Sequence, residues 1–371
     1  MTALRLLAVA AAAAGAFLPA RTDAASTAAP SRCERPRIGF LGPLTGSAAF
    51  IGKEQLGFAR YAARRLGGGK VRIVEADTRL DPARARNAAR TLHARPDVLA
   101  VVGPATSREV LAVARVLNSR NRLPFVSASA LATSLTNGSI PNFFRVVPND
   151  SVQAPTIAAF VAATLKAKRV FVVDDRTSYS RLLADGVQSR LRARGIRVAR
   201  ASVDQKQTEF GSLVARIGDD VDVVFVPWQI AASAQVLGTQ LREQAKRAVL
   251  VGSDALDSGD FAIAGSYVAA FAPDVRAIRG NAAFVAGYGA PFVSNFGPLA
   301  YVATQAAIGA IGKACADGRA TRAEVLRALK ATHLPTTVLG RPLDFTPAGD
   351  VEDARFSIFK VGARGKKTMV R

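Results

Sequence analysis

Short apolar runs alternate with amphipathic stretches along most of the chain. From Pro36 onward, the predicted strands are RIGFLG, KVRIVEAD, VLAVVG and PFVSAS, which are short apolar segments bounded by Gly, Pro or charged residues. The segments between them, KEQLGFARYAARRLGG, DPARARNAARTLHAR and SREVLAVARVLNSR, carry apolar residues at helical spacing. Apolar strands joined by helices predict a parallel sheet that is covered by helices on both faces.

The same alternation begins again after the segment FFRVVPNDS. The predicted strands are now RVFVVDD, IRVARASV, VDVVFVPW and AVLVGSDA, and the predicted helices are APTIAAFVAATL, SRLLADGVQSRLRARG, FGSLVARIG and SAQVLGTQLREQA. The sequence therefore predicts two doubly wound α/β units in tandem. The crevice between two such units is the expected position of a ligand.

The end of the chain holds too few elements for a third domain. It contains two predicted helices, FGPLAYVATQAAIGAIGKACADG and TRAEVLRALKAT, followed by the strand-like segments RPLDF and RFSIFKV. These elements must complete the two units already present. We therefore expect the chain to pass between the two domains more than once.

The N-terminus has the layout of a secretory signal peptide. A basic residue at position 5 precedes an apolar run from about Leu6 to Leu18, and small residues follow near residues 22–25. We expect residues 1–25 to be removed and the mature protein to be exported and soluble. In an oxidising compartment the two cysteines, Cys33 and Cys315, could form a disulfide, or they could remain as two unpaired thiols.

The net charge of +22 raises the possibility of a nucleic-acid partner. The arginines, however, are scattered along amphipathic segments where they fall on the solvent-facing side, and no stretch interleaves aromatic with basic residues. We therefore expect a solvated basic surface and no nucleic-acid partner. With only two histidines and no CxxC motif, the chain is also not expected to bind a metal.

Hydroxyl residues follow several predicted strands of the first unit. Small polar residues at the carboxyl edge of a parallel sheet leave room for a ligand, and the backbone N–H groups of the next helix favour a carboxylate there. Each of these residues could instead be an ordinary helix N-cap, but their recurrence at three strand ends favours a binding site. The residues are Thr45, Ser47, Thr106, Ser107, Ser127 and Ser129.

The second unit places different chemistry at its strand ends. One predicted strand ends in Asp174 and Asp175 with Tyr179 nearby, another ends in Trp228, and a third is followed by Asp254. A carboxylate and aromatic rings opposite hydroxyl groups suit a zwitterion that carries an apolar side chain. Asp254 could instead be a helix N-cap, and Trp228 could be a core residue.

The motifs of common enzyme classes are missing from the sequence. The segment GSAAFIGKE has one residue too many for a phosphate-binding loop, and no GxGxxG or GxSxG motif follows a strand. An enzyme based on the aspartates lacks an accompanying base, metal or cofactor motif. We therefore expect a binding protein that is not an enzyme and has no cofactor.

Several segments together resemble a known family. These are RIGFLGPLTGSAAFIGKEQLGFARYAARRL, VLAVVGPATSREVLAVARVLN, LPFVSASALATSLT, FFRVVPND and GRPLDFTPAGD, which resemble the periplasmic substrate-binding proteins of branched-chain amino acid (Leu/Ile/Val-type) ABC importers. The resemblance implies the type I periplasmic-binding-protein fold, with two Rossmann-like lobes and three crossovers near residues 146–150, 270–273 and 341–350. The N-terminal lobe would comprise residues 36–147 and 274–341, and the C-terminal lobe residues 148–273 and 350–371.

The resemblance also implies roles for individual residues. Ser107 would bind a ligand carboxylate, Ser129 and Ala130 would add hydroxyl and backbone contacts, and Asp254 would bind an ammonium group. Tyr179 and Trp228 match aromatic positions, and Phe50 or Ile51 would contact the ligand side chain. The chain departs from the family pattern at Leu131, where a threonine is usual, so an amide, a hydrophobic acid or an aromatic carboxylate is an alternative ligand.

The function implied is capture of a small carboxylated solute in the periplasm and its delivery to an ABC permease in the inner membrane. We expect the protein to be a monomer that closes on its ligand by hinge rotation. The alternative is a periplasmic sensor of the same fold that reports amides or aromatic acids to a regulatory or enzyme system.

Overall fold

The computed structural model describes residues 32–292 and 294–370. The expected signal segment, residues 1–25, lies outside the described residues. The strands are β1 (Arg37–Gly42), β2 (Arg72–Asp77), β3 (Val98–Val102), β4 (Phe125–Ser127), β5 (Phe143–Arg145), β6 (Arg169–Asp174), β7 (Arg197–Ser202), β8 (Val223–Val226), β9 (Val249–Gly252), β10 (Tyr267–Ala270), β11 (His333–Leu334), β12 (Leu343–Asp344), β13 (Ser357–Val361) and β14 (Lys367–Met369). The helices are α1 (Ala49–Leu66), α2 (Pro82–Ala94), α3 (Ser107–Leu117), α4 (Asp150–Ala159), α5 (Ser178–Arg192), α6 (Gly211–Ala215), α7 (Ala231–Glu243), α8 (Ala282–Tyr288), α9 (Phe296–Ala314) and α10 (Arg322–Lys330).

The first sheet has five parallel strands in the order β2-β1-β3-β4-β5. Alternate residues of its central strands point to opposite faces, because successive side chains of a strand alternate. Phe40 therefore packs in the cluster with α1 and α9, and Leu41 packs in the cluster with α2 and α3. We call this sheet and the helices packed on it the first lobe.

The second sheet has seven strands in the order β14-β13-β10-β9-β8-β6-β7. Strands β6 to β10 are parallel, and β13 and β14 add an antiparallel edge. Val172 faces the cluster that contains α4 and α5, and Val173 faces the cluster that contains α6 and α7. We call this sheet and its helices the second lobe; the tandem arrangement of doubly wound units predicted from the sequence is present.

The chain passes between the two sheets three times, after β5, after β10 and before β13. The first and third passages are bonded to each other, since the Arg145 N–H donates to the Gly349 carbonyl at 2.9 Å and the Arg145 guanidinium pairs with Asp350. Arg145 is fully buried; its Nη1 donates to the carbonyls of Ala130 and Ala132, and its Nη2 donates to the Thr136 hydroxyl. This network fixes two of the passages at one point.

A disulfide joins Cys33 to Cys315, with their Cα atoms 5.5 Å apart, and attaches the start of the described chain to the end of α9. Strands β5, β10 and β14 and helix α8 were not predicted from the sequence. Each has three to seven residues, which is too short to show a clear period. Among the described residues, the structure contains no helix with the length and apolar character that a membrane crossing requires.

Candidate functional site

A small cavity of about 20 Å³ lies where the carboxyl ends of the two sheets face each other. The first lobe contributes Ile51, Thr106, Ser107, Ser129 and Phe296 to its wall, and the second lobe contributes Tyr179, Gln229 and Asp254. Five of the residues predicted from the sequence therefore line the same cavity: Ile51, Ser107, Ser129, Tyr179 and Asp254.

The first-lobe side of the cavity is the N-terminus of α3. Thr106 is the N-cap, and its hydroxyl and the Glu109 carboxylate cap one another's backbone N–H groups. Burial raises the pKa of Glu109, although the hydrogen bonds from Thr78 and Thr106 oppose this effect. The backbone N–H groups of Ser107 and Arg108 have no acceptor within the described part of the chain. Two free N–H groups at a helix N-terminus favour a bound carboxylate.

Ser107 adds a hydroxyl donor to these N–H groups. Its Oγ accepts a hydrogen bond from the Ala132 N–H at 3.1 Å. Because that bond uses a lone pair of the hydroxyl, the proton on Oγ is left for another acceptor. Ser107 is therefore suited to donate to a carboxylate oxygen.

Ser129 has the opposite hydrogen-bonding character. Its Oγ donates to the Ala105 carbonyl at 2.7 Å and accepts from the Gln55 side chain at 2.8 Å. The hydroxyl proton is already used, so Ser129 can offer a ligand only a lone pair. It is suited to accept from an ammonium group rather than to bind a carboxylate.

Asp254 forms the polar centre of the second-lobe side. It lies in a short 3₁₀ turn directly after β9, and its Oδ1 accepts from the Tyr179 hydroxyl at 2.5 Å and from the Gln153 side chain at 2.7 Å. Burial raises the pKa of Asp254 to about 6, and the two hydrogen bonds oppose this effect. At neutral pH Asp254 is therefore ionised, and no described hydrogen bond uses its Oδ2.

Asp150 is a second buried acid that sequence reasoning missed. It is the first residue of α4, and neither of its carboxylate oxygens has a hydrogen-bond partner within the described residues. Burial, and then repulsion from Asp254, raise the pKa of Asp150 to about 8, while the positive charge of Arg145 opposes this. Asp150 is therefore largely protonated at neutral pH. Its only sequence signal was its position at the start of a helix within the first passage between lobes.

Trp228 and Ala130 do not line the cavity. The Trp228 ring packs against Phe210 with centroids 5.0 Å apart, and its indole N–H donates to the Val173 carbonyl at 2.7 Å. The ring thus lies in the core of the second lobe, and the next residue, Gln229, lines the cavity. Ala130 is buried, and its N–H donates to the Ser127 hydroxyl at 3.0 Å.

The apolar part of the cavity comes from Ile51 and Phe296. Phe50 is not part of the wall; its ring packs edge-on against Phe296, with centroids 6.2 Å apart. Leu131, the departure from the family pattern, is buried, and its carbonyl accepts from the Asp150 N–H at 2.9 Å. Its side chain does not form part of the wall.

A larger groove of about 470 Å³ has a different lining, in which the charged residues are Asp257, Asp274, Arg276, Lys366 and Lys367. Four of these five charged side chains are already paired, because Lys367 Nζ lies 2.8 Å from Asp257 Oδ1 and Arg276 Nε lies 2.8 Å from Asp274 Oδ1. Paired charges leave little for a ligand to bind. The smaller cavity, where donor groups and a carboxylate face each other unpaired, is the better candidate despite its size.

Several known proteins have sequences similar to that of this chain. The chain is 29% identical over 343 residues to a Leu/Ile/Val-binding protein of Rhizobium johnstonii. The alignment covers 87% of this chain and 90% of that protein. It is 26% identical over 349 residues to an amino acid binding protein of Pseudomonas aeruginosa, covering 89% of this chain and 91% of that protein.

Solved structures show the same fold. A leucine-binding protein from Thermotoga maritima has a TM-score of 0.81 at 20% identity, covering 91% of this chain and 98% of that one. A branched-chain amino acid transporter substrate-binding protein from Streptococcus pneumoniae, solved with isoleucine, has a TM-score of 0.79 at 23% identity, covering 91% of this chain and 99% of that one. The fold is thus the type I fold expected from the sequence. Residues 36–366 match the periplasmic binding protein family, and the chain belongs to that family.

Proposed function

We propose that this chain is an exported solute-binding protein that captures a small amino acid between its lobes and delivers it to an ABC permease in the inner membrane. The observation that carries the proposal is the polarity of the cavity. Ser107 and two free N–H groups lie on one side, and Asp254 lies on the other. The named relatives, which bind Leu, Ile or Val or are called amino acid binding proteins, support the same class of ligand.

Each end of an α-amino acid has a match in this arrangement. The ligand carboxylate would accept from the Ser107 hydroxyl and from the N–H groups at the start of α3. The ammonium group would donate to Asp254 Oδ2 and to the remaining lone pair of Ser129. Ile51 and Phe296 would contact an apolar side chain.

Closure of the two lobes would complete the site. The carboxylate donors lie on the first lobe, and Asp254, the charged acceptor for the ammonium group, lies on the second. A zwitterion would therefore bind the closed form better than the open form and shift the population toward it. We propose the lobe boundaries given by the sequence, residues 36–147 with 274–341 and residues 148–273 with 350–371. We further propose removal of residues 1–25, a periplasmic location and a monomeric state.

A thermal-shift experiment on the chain without residues 1–25 tests the proposal. The ligands are leucine, 3-methylbutylamine, which lacks the carboxylate, and 4-methylpentanoic acid, which lacks the amine. We expect only the zwitterion to stabilise the protein strongly, by about 2.7 kcal/mol at a concentration 100 times its Kd. Stabilisation by the acid as strongly as by leucine would contradict a role for Asp254 and would favour the organic-acid alternative.

A wider panel of ligands tests whether the protein binds a class of compound other than amino acids. Other amino acids, amides and aromatic carboxylates are measured under the same conditions. A response confined to amides would contradict the zwitterion site, since an amide lacks the charge that Asp254 requires. A response to none of these compounds would contradict the proposed function itself.

A further inference from the structure

Three buried oxygen atoms beside Asp254 lack hydrogen-bond donors. They are Oδ1 and Oδ2 of Asp150 and Oε1 of Gln153, and none has a partner within the described part of the chain. Asp150 and Gln153 are three positions apart on α4, so they lie on the same side of that helix. Gln153 Nε2 donates to Asp254 Oδ1 at 2.7 Å, which joins these three oxygens, the acceptor cluster, to the ligand cavity. Buried acceptors are rarely left without donors, so a hydrogen must be supplied here.

The charged and titratable groups around Asp150 come from other parts of the fold. Asp254, after β9, opposes a negative charge on Asp150, and Arg145, at the end of β5, favours one. Arg145, however, pairs with Asp350 of the third passage, and among the described residues it gives no hydrogen bond to Asp150. The Tyr179 hydroxyl on α5 also faces Asp150, but it donates to Asp254. An ionised Asp150 would therefore be a buried charge without a hydrogen-bond donor.

A proton on Asp150 removes both difficulties as long as the ligand is absent. A protonated carboxyl group is neutral and provides one O–H donor. It therefore removes the buried charge and supplies one hydrogen to the acceptor cluster. The pKa of Asp150 agrees with this state, since burial, and then repulsion from Asp254, raise it to about 8.

The ammonium group of a ligand changes this balance. When it sits on Asp254, it brings a positive charge to the carboxylate that otherwise opposes ionisation of Asp150. A nearby positive charge favours the ionised form of a carboxyl group. A ligand that lacks an amine brings no such charge, and Asp150 would then keep its proton.

We propose that capture of an amine-bearing ligand is coupled to release of the proton held by Asp150. The O–H bond of Asp150 breaks, its electron pair stays on the carboxylate, and the proton passes to the buffer, so the site exchanges one positive charge for another. Asp150 is thus a second determinant of selectivity for amines, which acts through Asp254 rather than by contact with the cavity. The inference rests on the proposed function.

The size of the coupling follows from the protonation state of the empty site. A group with a pKa of about 8 is roughly nine-tenths protonated at pH 7, so capture should release up to about 0.9 proton per ligand. Affinity for leucine should rise with pH, up to about fivefold between pH 7 and pH 8, because the ligand favours the ionised acid. Asp254 titrates at about pH 6, below this interval, and contributes only about 0.1 proton at pH 7.

Calorimetry of leucine binding in buffers of equal pH but different ionisation enthalpy measures the released protons. The chain without residues 1–25 is compared with Asp150→Asn, which cannot release this proton. The matched control is Asp175→Asn, at another buried acid of the second lobe. Burial raises the pKa of Asp175 as well, but the Thr177 N–H and hydroxyl donate to its Oδ1, and its charge does not act on Asp150 or Asp254.

We expect wild type and Asp175→Asn to release close to one proton at pH 7, and Asp150→Asn to release about 0.1. At pH 9, where Asp150 has already lost most of its proton, release from wild type should also fall to about 0.1. Infrared difference spectra of wild type with and without leucine should show loss of the C=O band of a protonated carboxylic acid. These last two measurements need no variant, so they decide the question even if Asp150→Asn does not fold.

Each contrary result has a distinct meaning. If wild type binds leucine without releasing a proton at pH 7, the coupling is wrong while the proposed function stands. Release that persists in a folded Asp150→Asn protein would assign the proton to another group and would also overturn the inference. If wild type binds no amine-bearing ligand at all, the proposed function fails before the coupling is tested.

Discussion

Replacing Asp150 with Asn tests the cost of burying an aspartate that has no hydrogen-bond partner. The pKa of Asp150 is raised from 3.8 to about 8 in the folded protein. A folded-state pKa above the unfolded value means that folding favours the protonated acid. The contribution of Asp150 to the free energy of unfolding is therefore fully present below pH 3.8 and is lost as the pH rises through about 8.

The structure sets the expected magnitude. At ~1.4 kcal/mol for each pKa unit, the interval from 3.8 to about 8 corresponds to on the order of 5 kcal/mol. Asn has nearly the same shape and does not titrate. The free energy of unfolding of Asp150→Asn, relative to wild type, should therefore rise by about 4 kcal/mol between pH 5 and pH 9.

Urea unfolding at both pH values measures this difference. The single tryptophan, Trp228, is buried in the second lobe, which also contains Asp150, so its fluorescence follows the relevant unfolding. Asp274→Asn is the control, because the hydrogen bond from Arg276 lowers the pKa of Asp274. The stabilising effect of the ionised Asp274 is fully present at pH 5 and at pH 9. Asp274→Asn should therefore lower the free energy of unfolding by the same amount at each pH.

A pH-independent difference for Asp150→Asn would refute the reasoning. It would mean that the carboxylate stays ionised in the folded protein and that a cation or ordered water compensates it.

The remaining predictions concern the ligand site and the disulfide. Asp254→Asn should weaken binding of an amine-bearing ligand at least 100-fold in calorimetry and leave a simple carboxylic acid unaffected. Wild-type affinity for the amine should fall about tenfold for each pH unit below about 6, as Asp254 becomes protonated, and the variant should lack this dependence. Ser107→Ala should weaken carboxylate ligands by about 2 kcal/mol, or roughly 30-fold, through loss of a donor to a charged group, and equal binding would remove Ser107 from the site. The double variant of Cys33 and Cys315 to Ser should unfold in urea with a free energy lower by roughly 2–4 kcal/mol, because the bond closes a loop spanning 282 residues.

The parts of the site that depend on strand ends could be predicted from the sequence. In a parallel sheet all carboxyl ends lie at one edge, so residues far apart in the chain converge there once the strands are identified. This places Ser107 and Ser129 on one side. The same reasoning places Tyr179 and Asp254 on the other, without knowledge of any contact.

The direction of a side chain at a strand end could not be predicted. Successive residues of a strand point to opposite faces, so a change of one position decides between core and cavity. Beyond the last strand residue even this alternation is lost: Trp228 and Gln229 both follow β8, and the first lies in the core while the second lines the cavity. Asp150 and Gln153 were missed because their position depends on how the first passage enters the second lobe, which no periodic pattern records.

The sequence also does not show which residues of the cavity donate hydrogen bonds to a ligand and which accept them, although it does identify the residues. Ser107 and Ser129 are the same residue type and follow neighbouring strands, yet one can donate to a ligand and the other can only accept. The difference comes from backbone groups that no residue name reveals: the Ala132 N–H occupies a lone pair of Ser107, and the Ala105 carbonyl takes the proton of Ser129. Since a hydroxyl has one proton to give, these two backbone contacts orient a zwitterion as much as the charge of Asp254 does.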